Sequence, residues 1–438
     1  MTVSFSDSVP TRGRQHELLI LIILAAVQFT TIVDFMIVMP LGPQLMRTLK
    51  IGPSEFGLIV SSYTFAAGVS GLVASSIVDR FARRTTFMVL YAGFLLGTFL
   101  CAIAPTYHTL LLARIATGGF GGILGGVAMT IIGDVFPDER RGLATGSMMT
   151  GFALASVAGV PLGLLLGTNF GWHVPFYALV VAGFPLLLLT PYAMPPLKDH
   201  VHKAQVHPLK SLFDTFALPS HRDAFALTIA LMIGSFTVFP YVSAYFVSNV
   251  GLTEQQLPLI YVVGGVLTLI AAPAVGQLTD KFGKLLIYRI IAPVSAVLLL
   301  AITHLPHVPV TVAVIVFGSL MVSNVGRMIA AMAMITGSVE RHRRGAFLSA
   351  NSSVQHIACG VGAYLGGLII TQSNDGPIGQ FGTVGWIAAV STVCTLWLAG
   401  RVRAERLESV SAEKLSMVAA AEATVDAGEP FLVVVDDR

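Results

Sequence analysis

Val78-Asp79-Arg80-Phe81-Ala82-Arg83-Arg84 and Leu278-Thr279-Asp280-Lys281-Phe282-Gly283-Lys284 are two versions of one acid–base turn, each following a long apolar run. A second pair of turns keeps the same spacing. Glu139-Arg140-Arg141-Gly142 precedes one Gly-rich apolar stretch, and Arg343-Arg344-Gly345 precedes another. Beyond these turns the register holds, with Ala155, Gly159 and Gly163 matching Ala358, Gly362 and Gly366. A period of roughly 200 residues with a basic turn at matching places marks a chain made of two similar halves.

The runs between the turns decide the fold class. Apolar residues make up 55% of the chain and charged residues 11%, against roughly a quarter charged in soluble domains. Stretches of about 20 nearly uncharged residues recur, enough to cross a hydrocarbon core roughly 30 Å thick. Lipid offers no hydrogen bonds, so only helices or barrel strands can cross it. The runs are continuous rather than alternating, which selects helices. The expectation is an all-α membrane protein with twelve transmembrane helices in two six-helix bundles related by pseudo-twofold symmetry.

Hydropathy places the crossings at Leu18–Leu45, Phe56–Val78, Thr86–Ala104, Leu110–Val135, Leu143–Thr168 and Val174–Tyr192 in the first half. The second half continues with Ala224–Val247, Leu257–Leu278, Leu285–Thr303, Val310–Ile335, Ala346–Ile370 and Val384–Leu398. The domain organisation follows: a leading segment 1–17, a bundle 18–192, a polar linker 193–223, a bundle 224–403 and a tail 404–438. Most of the 26 Lys and Arg fall in the leading segment, the even-to-odd connections or the tail. Positive loops stay in the cytoplasm, so both termini are expected there, with the chain a multi-pass protein of the cell membrane. The first helix reads as an uncleaved anchor. The net charge of +3 is then an orientation signal, and a nucleic-acid partner is not expected.

No metal or cofactor is expected either. Cys101, Cys359 and Cys394 lie apart inside apolar segments, and His200, His202 and His207 share a polar linker without metal-ligand spacing. The chain has no His-Glu-x-x-His, no Gly-x-Gly-Asp, no Gly-x-Ser-x-Gly and no phosphate-cradling Gly-x4-Gly-Lys-Ser/Thr. An enzyme and an ATP-driven pump are therefore not expected.

Twelve helices in a six-plus-six duplication, with Asp79-Arg80-x-x-Arg83-Arg84 between the second and third, resemble the major facilitator superfamily. Gly276-Gln277-Leu278-Thr279-Asp280-Lys281-Phe282-Gly283-Lys284 keeps the family's loop signature closely, whereas the first copy has Ser75, Ile77 and Ala82 where Gly, Leu and Gly are usual. Arg114-Ile-Ala-Thr-Gly118, Gly159-Val160-Pro161-Leu162-Gly163, and Asp34 with Met39-Pro40-Leu41-Gly42-Pro43 are similar to motifs of its drug:proton antiporter branch. Thr117 stands where that branch usually has Gln. The resemblance implies alternating access, small-molecule cargo and coupling to protons. It points to efflux of drugs or of apolar or cationic compounds by a monomer in the lipid bilayer. A sugar or metabolite carrier remains the alternative, and a channel or a non-transporting sensor a more distant one.

Asp34 is an acid in an otherwise apolar run, about 25 Å along its helix from Leu18. Intramembrane ionisable groups are costly and usually face a cavity or a partner. Water-poor surroundings favour the neutral acid and a neighbouring cation favours the carboxylate, so such a group can take up and release a proton. Arg114, about 6 Å below Leu110, is the candidate partner, and the resemblance implies that both face the central cavity. Asn324 and Arg327 are candidates for contacting substrate, as are Phe236, Phe239, Tyr241 and Tyr245 around Pro240. Arg327 could equally snorkel to the interface. Asp79, Arg80, Arg83 and Arg84, with Asp280, Lys281 and Lys284, are expected to act as cytoplasmic latches. Gly118 and Gly122, Gly159 with Pro161 and Gly163, and Gly362 with Gly366 form small-residue faces expected to let helices approach closely and slide.

Overall fold

A computed structural model describes residues 11–77, 81–194, 215–216, 218–340, 344–372 and 376–402. The leading ten residues, most of the linker, the tail from 403 and the latch residues Asp79 and Arg80 lie outside that set.

Among the described residues, twelve long helices form two bundles of six. The first contains α1 (Thr11–Ile37), α2 (Pro53–Ile77), α3 (Arg83–Ala102), α4 (Tyr107–Val135), α5 (Asp138–Leu154, continued through Val160–Phe170) and α6 (Val174–Ala193). The second contains α7 (Pro219–Phe236, continued to Val250), α8 (Leu257–Phe282), α9 (Lys284–Thr303), α10 (Val310–Gly337), α11 (Arg344–Ile369) and α12 (Phe381–Val402). Among the described residues, 11 helices are long and apolar enough to span a bilayer. The remaining one, α11, is 26 residues long and carries Asn351, Ser352, Ser353, Gln355 and His356. A two-stranded antiparallel pair, β1 (Thr371–Gln372) and β2 (Ile378–Gly379), joins α11 to α12 where the sequence suggested only a loop. Asn249 braces it through both the N–H and the C=O of Ile378.

Hydropathy merged what the backbone breaks. The apolar run Leu18–Leu45 is two helices, α1 and a short one over Gly42–Leu49, separated by a turn at Pro40. Proline has no N–H to donate and its ring clashes with the carbonyl four residues back, which favours a break at this point. The same happens in the second half. α7 stops at Phe236, passes through one tight turn at Phe239–Tyr241 around Pro240 and resumes. Pro161 acts more gently, inside α5, where the turn Ala155–Gly159 widens to a π-helix and Val160 N–H reaches back to Ala155 O.

Matching hydrogen bonds repeat between the halves. Arg141 Nε donates to Phe136 O at 3.0 Å, and Arg344 Nε donates to Val339 O at 3.1 Å. Each arginine thereby closes the end of the helix before it, α4 or α10. Arg83 binds Asp134 near the end of α4, as Lys284 donates to Ala333 O near the end of α10.

The core reveals how the halves meet. We call the end where α1 starts and α12 finishes the termini side. At the opposite, far side one apolar cluster draws on both halves, including Phe56, Trp172 and Phe176 with Tyr241, Phe246 and Phe317. Toward the termini side the core splits in two. One cluster, around Tyr91 and Phe94, belongs to the first half alone, and another, around Tyr288 and Phe347, to the second alone. The apolar core is shared at the far side and split toward the termini, where α2 and α11 still join the halves down to Gly71 against Ser353.

The small-residue faces lie between neighbouring helices of the same half. An added Cβ at Gly159 would meet Val33 and Phe29 of α1, and one at Gly163 would meet Ile37. At Gly118 and Gly122 it would meet the backbone of Tyr63 and Ala67 on α2, and at Gly362 and Gly366 that of α7. These faces cement neighbours within one half. Glycines at the junction between halves include Gly57, Gly68 and Gly71 of α2 and Gly360 and Gly367 of α11, where these two helices meet, and Gly265 of α8 against Ser156 and Val157 of α5. Gly118→Ala is expected to lower stability by about 1–3 kcal/mol, the usual range for overpacking. At Gly126 an added Cβ meets nothing within 4 Å, so Gly126→Ala should be neutral. Thermal unfolding of the purified protein checks both.

Candidate functional site

Asp34 is wholly buried near the end of α1, and Arg114 is 1% exposed on α4. Arg114 Nη1 lies 2.7 Å from Asp34 Oδ2 and 3.3 Å from the Asp34 carbonyl oxygen. The other carboxylate oxygen accepts from Thr98 Oγ1 on α3 at 3.1 Å. The guanidinium carbon sits 4.4 Å from the centroid of the Tyr63 ring, giving the cation an aromatic face as well as an anion. Thr117, the residue that replaces the antiporter-branch Gln, turns its hydroxyl to Ala113 O at 2.7 Å and toward Cys101 Sγ. Arg114 Nε has no hydrogen-bond partner. Four helices thus contribute to one buried ion pair, and Thr98 and Tyr63 carried no sequence signal for it.

A layer of parallel rings adjoins the pair. Phe35, next to Asp34 in sequence, stacks on Tyr63 at 5.3 Å and on Phe236 of α7 at 6.1 Å. The stack Tyr63–Phe35–Phe236 therefore crosses from one half to the other. Of the other aromatic candidates, Phe239 is partly buried against the shared core. Tyr241 and Tyr245 are packing residues. Tyr241 donates to Ala363 O, its ring edge against Phe56, and Tyr245 donates to Leu305 O beside Phe381.

Arg327 does not snorkel: it is 1% exposed within α10. Its Nη1 donates to Thr392 Oγ1 at 2.8 Å, and its Nη2 to Asn324 Oδ1 at 2.9 Å and Ser235 Oγ at 3.2 Å. All three acceptors are neutral.

Arg83 and Arg84, among the described turn residues, each contact their own half. Arg83 Nε is 3.1 Å from Asp134 Oδ2, and Arg84 donates to Pro191 O and Met194 O at the end of α6. Lys281 lies over the Phe282 ring, and Asp280 is exposed. Among the described residues, an ion pair crosses between halves at the far side, where sequence reading placed nothing. Arg47, on the short helix after α1, grips both carboxylate oxygens of Glu254 just before α8. Exposed pairs contribute roughly 0–1 kcal/mol, so Glu254→Gln should shift the balance toward far-side opening by up to about fivefold. Spin-label distances between the α3–α4 and α9–α10 connections report that shift.

Two six-helix bundles, the first enclosing a buried ion pair, define a duplicated helical membrane protein, and no group of His, Cys, Asp and Glu that could hold a metal occurs among the described residues. The profile of the Major Facilitator Superfamily matches residues 24–328 and again 225–433, and the chain belongs to that family. It is 23% identical over 375 residues to the uncharacterized MFS-type transporter YceJ of Bacillus subtilis (strain 168), covering 85% of this chain and 93% of that protein. It is 27% identical over 245 residues to the inner membrane transport protein YdhP of Escherichia coli (strain K12), covering 55% of this chain and 62% of YdhP. Among solved structures it resembles the xylose transporter XylE from E. coli in a partially occluded inward-open conformation. The TM-score is 0.68 at 13% identity, covering 88% of this chain and 98% of that one. It also resembles an inward-facing bacterial homolog of the human lysosomal transporter Spinster, with a TM-score of 0.65 at 14% identity, over 89% and 96% of the two chains. The protein is a multi-pass membrane transporter of small molecules.

Proposed function

We propose that the chain exports small molecules in exchange for protons, with Asp34 as the proton carrier and Arg114 as its switch. The observation that carries this reading is the buried Asp34–Arg114 pair at 2.7 Å. A carboxylate held by a guanidinium is stable only while the pair is intact. Rearrangement that parts them leaves a buried charge, which a proton removes. Because the ring layer on Phe35 continues onto Phe236 of the other half, tilting one bundle against the other acts directly beside Asp34.

Orientation completes the proposal. With basic turns on the termini side read as cytoplasmic, the side with the shared core faces outward and the side where the core divides faces inward. The arginine-rich turns then hold each half's own helix ends together, and Arg47–Glu254 holds the outer gate shut. Of the cargo classes suggested by sequence, apolar bodies suit the ring layer. A cation is poorly served, since Arg114 already neutralises the buried carboxylate.

Screening candidate compounds in proteoliposomes under an imposed pH gradient tests the proposal. Uphill accumulation that a protonophore abolishes is the expected result. Mere equilibration would indicate a channel, and uphill movement indifferent to the protonophore would remove the proton from the cycle.

A further inference from the structure

The buried charges of the described residues do not balance. Asp34, Arg83, Arg114 and Arg327 are the buried charged side chains. Arg114 has Asp34 and Arg83 has Asp134. Arg327 has only the oxygens of Thr392, Asn324 and Ser235, and its Nε is without any partner. Tyr288, beside it, donates its hydroxyl to Thr395 and brings no negative charge. Burying an unpaired cation is expensive by several kcal/mol, and arginine cannot discharge itself by losing a proton. A structural tie between α7, α10 and α12 could be made by a glutamine at no such expense.

We propose that Arg327 receives the anionic group of the transported molecule, an organic carboxylate whose apolar body lies against Phe236 and Phe35. This inference rests on the carrier reading above and adds the cargo's chemical class. The guanidinium is preset for a bidentate acceptor. Asn324, half-buried, holds the place of the anion. Its Oδ1 accepts from both Arg327 Nη2 and Ser235 Oγ, at 2.9 Å each. A carboxylate displacing that amide oxygen would replace a neutral acceptor by a charged one and neutralise the site. Ser235 precedes Phe236 in α7, so the anion receptor and the ring layer spanning both halves are one residue apart on the same helix. A ligand engaging both would span the roughly 100° between neighbouring side chains of a helix.

The test is equilibrium binding to the purified full-length protein near neutral pH, with benzoate, benzyl alcohol and benzylamine as probes. Thermal stabilisation and tryptophan fluorescence provide the readouts. Benzoate should bind the wild type at least about tenfold more tightly than the other two, and Arg327→Gln should erase that preference. Arg327→Lys should keep part of it, having the charge without the fork. Asn324→Ala leaves the cation in place and should bind benzoate at least as well as the wild type. No preference for benzoate in the wild type overturns the proposal, whatever the variants do. A preference surviving in folded Arg327→Gln overturns it too. Binding needs no gradient, so loss of proton coupling and loss of anion recognition show up in separate experiments.

Discussion

Asp34→Asn protein in liposomes will move its substrate down a gradient and fail to move it uphill on a pH difference. Asparagine occupies the same space and can turn its one amide oxygen to Arg114, its NH2 then facing the Thr98 hydroxyl, which can accept. What it cannot do is exchange a proton. Uphill flux should fall to the level of empty liposomes while counterflow of labelled substrate persists. The variant should fold, at a reduced unfolding temperature, because a buried guanidinium has lost its anion. Undiminished pH-driven accumulation would show that the proton travels elsewhere.

Removing the other partner has a different signature. In Arg114→Met the acid stays buried among Thr98, Tyr63 and Phe35 with no cation, yet a carboxyl group can neutralise itself by taking a proton, whereas arginine cannot. Breaking one side of a buried pair typically costs about 3–5 kcal/mol, and replacing both sides by uncharged residues costs far less. Stability should therefore rank the double variant Asp34→Asn/Arg114→Met first, Arg114→Met second and Asp34→Asn last. All three should lose coupling. Denaturation of the four proteins as a double-mutant cycle measures the pair. Additive losses would mean that the two groups do not depend on each other.

Much of this was legible in the sequence, for identifiable reasons. The paired turns announced the duplication, and Arg141 and Arg344 make the same bond to carbonyls five residues back. Asp34 and Arg114 stood out because a charge in an apolar run is rare. The hydroxyls around Arg327 did not stand out. Ser235 and Thr392 also satisfy helical carbonyls of their own, Leu231 O and Ala388 O, as such residues do in any membrane helix. Hydropathy averages over the breaks at Pro40 and Pro240, since the flanking residues are equally apolar. Glycine spacing tells which face is small, not which neighbour it meets; the faces of α5 and α11 meet α1 and α7 of their own halves. The Arg47–Glu254 gate joins connections far apart in the chain, and nothing local marks either residue.

The protonation of Asp34 itself is the most direct test of the central claim. Infrared difference spectra of the membrane-reconstituted protein, recorded across a pH titration, should contain a protonated-carboxyl band that vanishes in Asp34→Asn. The same band should change when the far-side gate is loosened by Glu254→Gln. A wild-type spectrum with no carboxyl band removable by Asp34→Asn would contradict the account, since a group that never binds a proton cannot carry one.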